Sequence, residues 1–147
     1  MARYEFRLET LRKVRLAKRD QARSALSEAF RAADVLAAKR AELAAEAVEL
    51  RHVQRSAAAG RYLDVNRLLE VQRYELLLRS RGEELAKQGA LLSAEIERRR
   101  QLLVEADRDV RVLELLDERH RREHDRRQAR LETKQLDETA VLRWRAR

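Results

Sequence analysis

Between Leu78 and Leu113 the apolar positions of this chain advance by four residues, then three, then four again. The walk reads Leu78, Gly82, Leu85, Gly89, Leu92, Ile96, Arg99, Leu103, Ala106, Val110 and Leu113, with Arg, Glu, Gln and Asp crowding the positions between. A 4,3 spacing averages about 3.5 residues and keeps one narrow seam on one side of a long helix. A seam that narrow needs a second helix to cover it. The first half of the chain supplies one, because Ala22, Leu26, Ala29, Ala33, Leu36, Arg40, Leu43, Ala47 and Leu50 repeat the same walk. Its small residues let a partner backbone come close.

The pattern predicts a first helix over about residues 4–57, opening with Tyr4, Phe6, Leu8, Leu11 and Val14. It stops at Ser56-Ala57-Ala58-Ala59-Gly60, where Gly60 suits a left-handed cap. A turn over about 58–63 follows. Asp64 can cap a second helix over about 64–143, with Leu63 and Leu68 at the spacing of a hydrophobic staple. Gly82 and Gly89 each cost about 1 kcal/mol relative to alanine, so their place on the seam points to close helix contact rather than a break. Two helices joined by so short a link fold back antiparallel. The expected fold is all-α: a single elongated coiled-coil hairpin over residues 1–147, its second helix longer and overhanging.

With the turn centred near residues 58–63, Leu36 is expected opposite the neighbourhood of Leu85 and Leu26 opposite the region of Ile96. Arg40 is expected beside Gly82, Glu83 and Glu84. The hairpin spans roughly 80 Å and the overhang, from His120 onward, up to about 40 Å at the α-helical rise. Leu131, Leu136, Val141, Leu142 and Trp144 are the main apolar groups of that overhang.

Composition sharpens the picture. Of the 147 residues 41% are charged and 4% aromatic, with no proline and three glycines, which suits long helices and leaves little material for a thick core. The absence of cysteine removes disulfides and thiolate chemistry from consideration. No apolar h-region opens the chain and no apolar run approaches the roughly 20 residues of a spanning helix, so a cytoplasmic protein without direct membrane insertion is expected. The net charge of +8 is polarised. Residues 1–60 carry 13 Lys/Arg against 8 Asp/Glu, residues 61–118 carry 11 against 13, and residues 119–147 carry 10 against 5. A basic end of this kind steers an acidic partner toward it.

Candidate chemistry is sparse. His120-Arg121-Arg122-Glu123-His124 matches the H-x-x-E-H pattern of inverted zinc proteases. That chemistry also needs a third ligand and a cleft, and Arg119, Arg121 and Arg122 would repel a cation, so the segment reads as a solvated helix face. The runs Arg98-Arg99-Arg100 and Arg119 to Arg130 lack stacking aromatics and base-reading residues, so no nucleic acid is expected. No phosphate loop, Ser/His/Asp set or buried acid pair is present, and neither an enzyme nor a cofactor or metal site is expected. The apolar excess lies off the stripe, at Leu68, Leu69, Val71, Tyr74 and Leu77, where a hairpin covers only one side.

The chain resembles the flagellar export protein FliJ family over nearly its whole length. The resemblance rests on the opening Tyr4-x-Phe6-x-Leu8-x-x-Leu11, on the two-helix plan and on the ending, where Glu132, Lys134, Leu136, Asp137, Glu138 and Ala140 match an E-x-K-x-L-D-E-x-A pattern. It implies a coiled coil similar to the central stalk of rotary ATPases, non-enzymatic and peripherally associated with the inner membrane at the flagellar base. The implied partners are the hexameric flagellar export ATPase, the export-gate membrane protein and export chaperones. Glu132, Lys134, Leu136, Asp137, Glu138 and Ala140 would dock on the ATPase, and Leu68, Leu69 and Gln72 on the gate. The isolated protein is expected to be a monomer. The competing expectations are a self-associating coiled-coil scaffold and a basic nucleic-acid-binding helix protein.

Overall fold

The structure, a computed structural model, describes residues 3–145. Two α-helices occupy nearly all of it: α1, Glu9–Ala58, and α2, Val65–Arg145. The described residues contain no strand, and α2 is the longer helix by 81 residues to 50. The architecture is the expected all-α helical hairpin.

Both ends of the connector follow from local chemistry. The Ala59 amide donates to the Arg55 carbonyl, which occupies one of the carbonyls that a helix end leaves open, and Ser56 Oγ donates to the Val53 carbonyl one turn back. Gly60 is not the left-handed cap expected, since no glycine has positive φ. A Cβ there would lie 3.3 Å from the Tyr62 carbonyl oxygen, so Gly60 serves the tight approach of the connector. Asp64 caps α2 as expected, its Oδ1 accepting from the Arg67 amide at 3.0 Å. Leu63 is 61% exposed and contributes little as a staple.

At the other end the helix starts later than its pattern suggests. Residues 3–6 have no regular secondary structure, residues 7 and 8 turn, and the Glu9 amide donates to the Phe6 carbonyl at 3.1 Å. Tyr4, Phe6 and Leu8 are half-buried while Arg3, Glu5 and Arg7 are exposed. That is the two-residue period of an extended segment. Glu9 places its carboxylate in the first turn, where the helix dipole favours it.

The described helices form two compact units. In the unit Arg23–Leu102, α1 and α2 lie antiparallel along the seam. Leu78 is buried and Gly82, Leu85, Gly89, Leu92 and Ile96 are half-buried, facing half-buried Leu26, Leu36, Leu43 and Leu50 of α1. A Cβ on Gly82 would lie 3.5 Å from Leu43 Cδ2, the close packing expected of a seam glycine. The register differs from the expected one. Leu36 shares a hollow with Leu92 and Ile96, one heptad beyond Leu85. Arg40 does not pair with Glu83 or Glu84; it lies over Gly89 and donates to the Leu85 carbonyl at 2.9 Å. The pattern repeats every heptad, so a slip of one heptad again sets leucine against leucine.

Seam residue Arg99 is the charged interruption of α2. Its Nε donates to Glu95 at 2.7 Å, and its Nη1 reaches across to the Ala25 carbonyl. Glu95 also accepts from Arg98 at 2.7 Å. These hydrogen bonds, from Arg98 first and Arg99 second, hold the Glu95 carboxyl well below its usual range, at about 2. Arg100 sits over the Phe30 ring at 5.5 Å.

In the unit Met1–Ala22 with Leu103–Arg147, α2 buries Ala106, Val110 and Leu113, with Leu103 half-buried. Three arginines of α1 meet three aspartates of α2: Arg12 with Asp117 at 3.1 Å, Arg15 with Asp109 at 2.8 Å and Arg19 with Asp107 at 3.9 Å. Such half-exposed pairs contribute about 0–1 kcal/mol each, but they select one antiparallel register over others.

Candidate functional sites at the two ends

The free end of α2 is the most exposed helical surface. From Asp125 to Arg145 every residue except Gln128 is exposed, and the described residues of α1 and the N-terminal segment make no hydrogen bond, ion pair or ring contact to it. Glu132, Lys134, Leu136, Asp137, Glu138 and Ala140 all lie here. Their only mutual polar contact is Lys134 with Glu138, one helical turn apart at 3.9 Å. Thr133 Oγ1 and Thr139 Oγ1 bond back to the Ala129 and Leu136 carbonyls, which keeps both hydroxyls on the helix surface.

The apolar groups of this end do not form one stripe. Leu136, Ala140 and Trp144 follow one another at steps of four and share a side. Leu131 and Leu142, eleven residues apart, share the opposite side. Leu136 is 69% and Trp144 80% exposed. A single partner helix lying along one side would leave the other side bare. A partner that surrounds the helix covers both.

At the connector the residues expected to dock divide. Leu68 is half-buried, while Leu69 and Gln72 are exposed. Val71 is buried, being the seam position one heptad before Leu78, and Tyr74 donates its hydroxyl to Glu46 Oε2 at 3.0 Å. The exposed stripe is Val65, Leu69, Gln72 and Leu76, at successive steps of four, three and four. Tyr62 and Leu63 stand exposed beside it in sequence. Val65 and Leu76 are therefore part of the patch, and the signal for them was the second 4,3 walk starting at Val65, offset from the seam.

The H-x-x-E-H segment is engaged otherwise than a metal site would require. The His120 ring faces Phe6 at 6.1 Å and the His124 ring faces Tyr4 at 5.6 Å. Glu123 pairs with Arg119 at 3.1 Å and Arg127 at 3.7 Å. Among the described residues no group of three or more His, Cys, Asp or Glu is placed to hold a metal ion. No described helix is long and apolar enough to cross a membrane.

A family model described as flagellar FliJ protein matches residues 4–147. No curated protein and no solved structure matches the chain.

Proposed function

The chain belongs to the flagellar FliJ protein family and is a component of the flagellar export apparatus; from this premise we propose that it acts as a non-enzymatic stalk and adaptor. In this reading the free end of α2 enters the hexameric export ATPase. Glu132, Lys134, Leu136, Asp137, Glu138 and Ala140 supply the contacts. The observation that carries the reading is the uncovered end itself, with apolar groups on opposite sides and charges between them. A ring surrounds a helix, so it can cover Leu131 and Leu142 together with Leu136 and Trp144. The contribution is coupling and assembly, with no bond made or broken by the chain.

The connector would serve a different partner. Val65, Leu69, Gln72 and Leu76, with Leu68 partly accessible, offer an apolar stripe at the connector that fits the export-gate membrane protein. Export chaperones are further partners of the same adaptor, and peripheral placement at the inner membrane follows from gate binding.

The test is stimulation of the partner ATPase by the full chain and by a chain lacking residues 128–147. The full chain is expected to raise turnover and the truncated one to leave it at the basal rate. Equal stimulation by both would place the contact elsewhere, and failure of the full chain to bind or stimulate would end the stalk reading. Sedimentation distinguishes the self-associating scaffold, for which a stable homodimer forms through the same exposed end.

A further inference from the structure

Beyond Leu113 the seam continues on its 4,3 spacing, but its chemistry changes. The next positions are Asp117, His120 and His124. Here the cover comes from the N-terminal segment. Tyr4 Oη donates to Asp117 Oδ1 at 2.7 Å, and the Tyr4 and Phe6 rings face His124 and His120. Partial burial of the phenol and its bond to Asp117 push Tyr4 up to about 12.

We propose that this N-terminal segment is a releasable strap, one that leaves α2 while the helical hairpin stays intact and so adds residues 117–124 to the uncovered helix. Four features favour separate release. The described residues of the strap make no backbone–backbone hydrogen bond to α2, and the Tyr4 hydroxyl is the group that reaches the α2 backbone, at the Asp117 carbonyl 3.2 Å away; the Phe6 and Leu8 carbonyls accept from the Glu9 and Arg12 amides of α1. The α2 groups that Tyr4 and Phe6 meet, Asp117, His120 and His124, are polar, so water can take over their contacts when the strap leaves. Asp117 keeps a partner in both states, because Arg12 Nη1 holds Asp117 Oδ2 at 3.1 Å and belongs to α1 rather than to the strap. Arg12 Nε is buried in the same cluster without a hydrogen-bond partner, so opening the cluster to water gains a bond that closure forgoes.

Release lengthens the free end by eight residues, or about 12 Å at the α-helical rise. The consequence for partners rests on the stalk reading above: a ring that takes the end of α2 reaches two turns deeper once the strap is off. The closed strap thus acts as a stop.

Native-state hydrogen exchange on the full chain in low denaturant tests the release. Amides of residues 117–124 are expected to exchange through local opening, with little dependence on denaturant, while those of 103–113 show the steep dependence of global unfolding. The variant Tyr4→Ala/Phe6→Ala is expected to speed exchange at 117–124 about tenfold and to leave 103–113 unchanged. A shared denaturant dependence for both segments, or no effect of the double variant, overturns the strap. The chain has no cysteine, so Phe6→Cys/His120→Cys can be cross-linked by a short bis-maleimide to lock it. The locked form is expected to bind the hexameric ATPase more weakly than the same variant before cross-linking, and equal binding overturns the stop. If neither form binds, the stalk reading fails, and the exchange measurements still decide the strap.

Discussion

Two glycines on one seam should respond unequally to the same methyl group. In a helix interior, Gly→Ala is worth about 1 kcal/mol from backbone entropy alone. At Gly82 the new Cβ meets Leu43 Cδ2 at 3.5 Å, an ordinary van der Waals distance, so the half-buried methyl adds part of the roughly 0.8 kcal/mol of a buried carbon. Gly82→Ala is therefore expected to stabilise by about 1–1.5 kcal/mol, which for a chain of this size raises the thermal midpoint by about 3 °C. At Gly89 the Cβ would lie 3.0 Å from Arg40 Cζ and closer still to Nη2. The guanidinium must swing away and give up its hydrogen bond to the Leu85 carbonyl, at a cost of about 0.5–1.5 kcal/mol. The helix gain and this loss nearly cancel. Gly89→Ala is thus expected to shift the midpoint little in the native background and to stabilise by about 1 kcal/mol when Arg40→Ala is already present. Far-UV circular dichroism melts of the four chains of this cycle give the coupling directly. Equal stabilisation by Gly89→Ala with and without Arg40, or destabilisation by Gly82→Ala, would refute the register drawn here.

The seam arginine and its neighbours support further expectations. Arg99→Ala removes the bond to the Ala25 carbonyl and is expected to destabilise by about 1–2 kcal/mol, read from denaturant midpoints; no change would mean that water replaces the contact without cost. Glu95 has its folded value depressed from 4.5 to about 2, so its contribution is present above the upper value and is lost as pH falls toward the lower. Acid unfolding monitored between these limits should therefore flatten in Glu95→Gln, and an unchanged acid limb would dismiss the Arg98–Glu95–Arg99 network as a source of stability. Deleting residues 125–147 should leave the thermal midpoint of the remainder within about 2 °C, since every described residue of that segment except Gln128 is exposed. A larger drop would mean that the end is covered in solution.

The helical hairpin was legible because the 4,3 walk is long. Every α2 position on it, from Leu78 to Leu113, is buried or half-buried, and the residues flanking it are mostly exposed. The register was not legible from that walk, since Leu36 meets a leucine whether it faces Leu85 or Leu92. In the unit Arg23–Leu102 the choice shows in polar contacts such as Glu46 accepting from Tyr74 and pairing with Arg81 at 3.9 Å. Arg40 was misplaced for the same reason. At the N-terminus two periods compete: Tyr4, Phe6 and Leu8 line up with Leu11 as the start of a helix, while their alternation with Arg3, Glu5 and Arg7 has a period of two, and the second one wins. At the ends, the exposure of residues 132–140 followed from unequal helix lengths. The connector patch needed the helix phase to separate buried Val71 from exposed Leu69 and Leu76.

The uncovered end of α2 poses a physical problem of its own. Isolated helices shorter than about 12–15 residues are marginal in water, and among the described residues of this highly charged segment one ion pair lies in the last stretch, Lys134 with Glu138. It is helical because it continues a covered helix: nucleation is already complete at Leu113, and each added residue contributes a backbone bond. Continuity then decides binding as well, since a preformed helix avoids the ordering cost that a frayed tail would meet on entering a partner. Arg126→Pro isolates the effect. It costs about 3 kcal/mol at the break and removes none of the proposed contact residues Glu132 to Ala140. If continuity holds the end, helicity should fall by most of the residues beyond the break, with the cooperative melt of the rest unchanged. ATPase stimulation should then drop as far as it does on truncation. Loss of only one turn of helix, with stimulation retained, would mean that the end carries its own stability and that the covered seam is not its support.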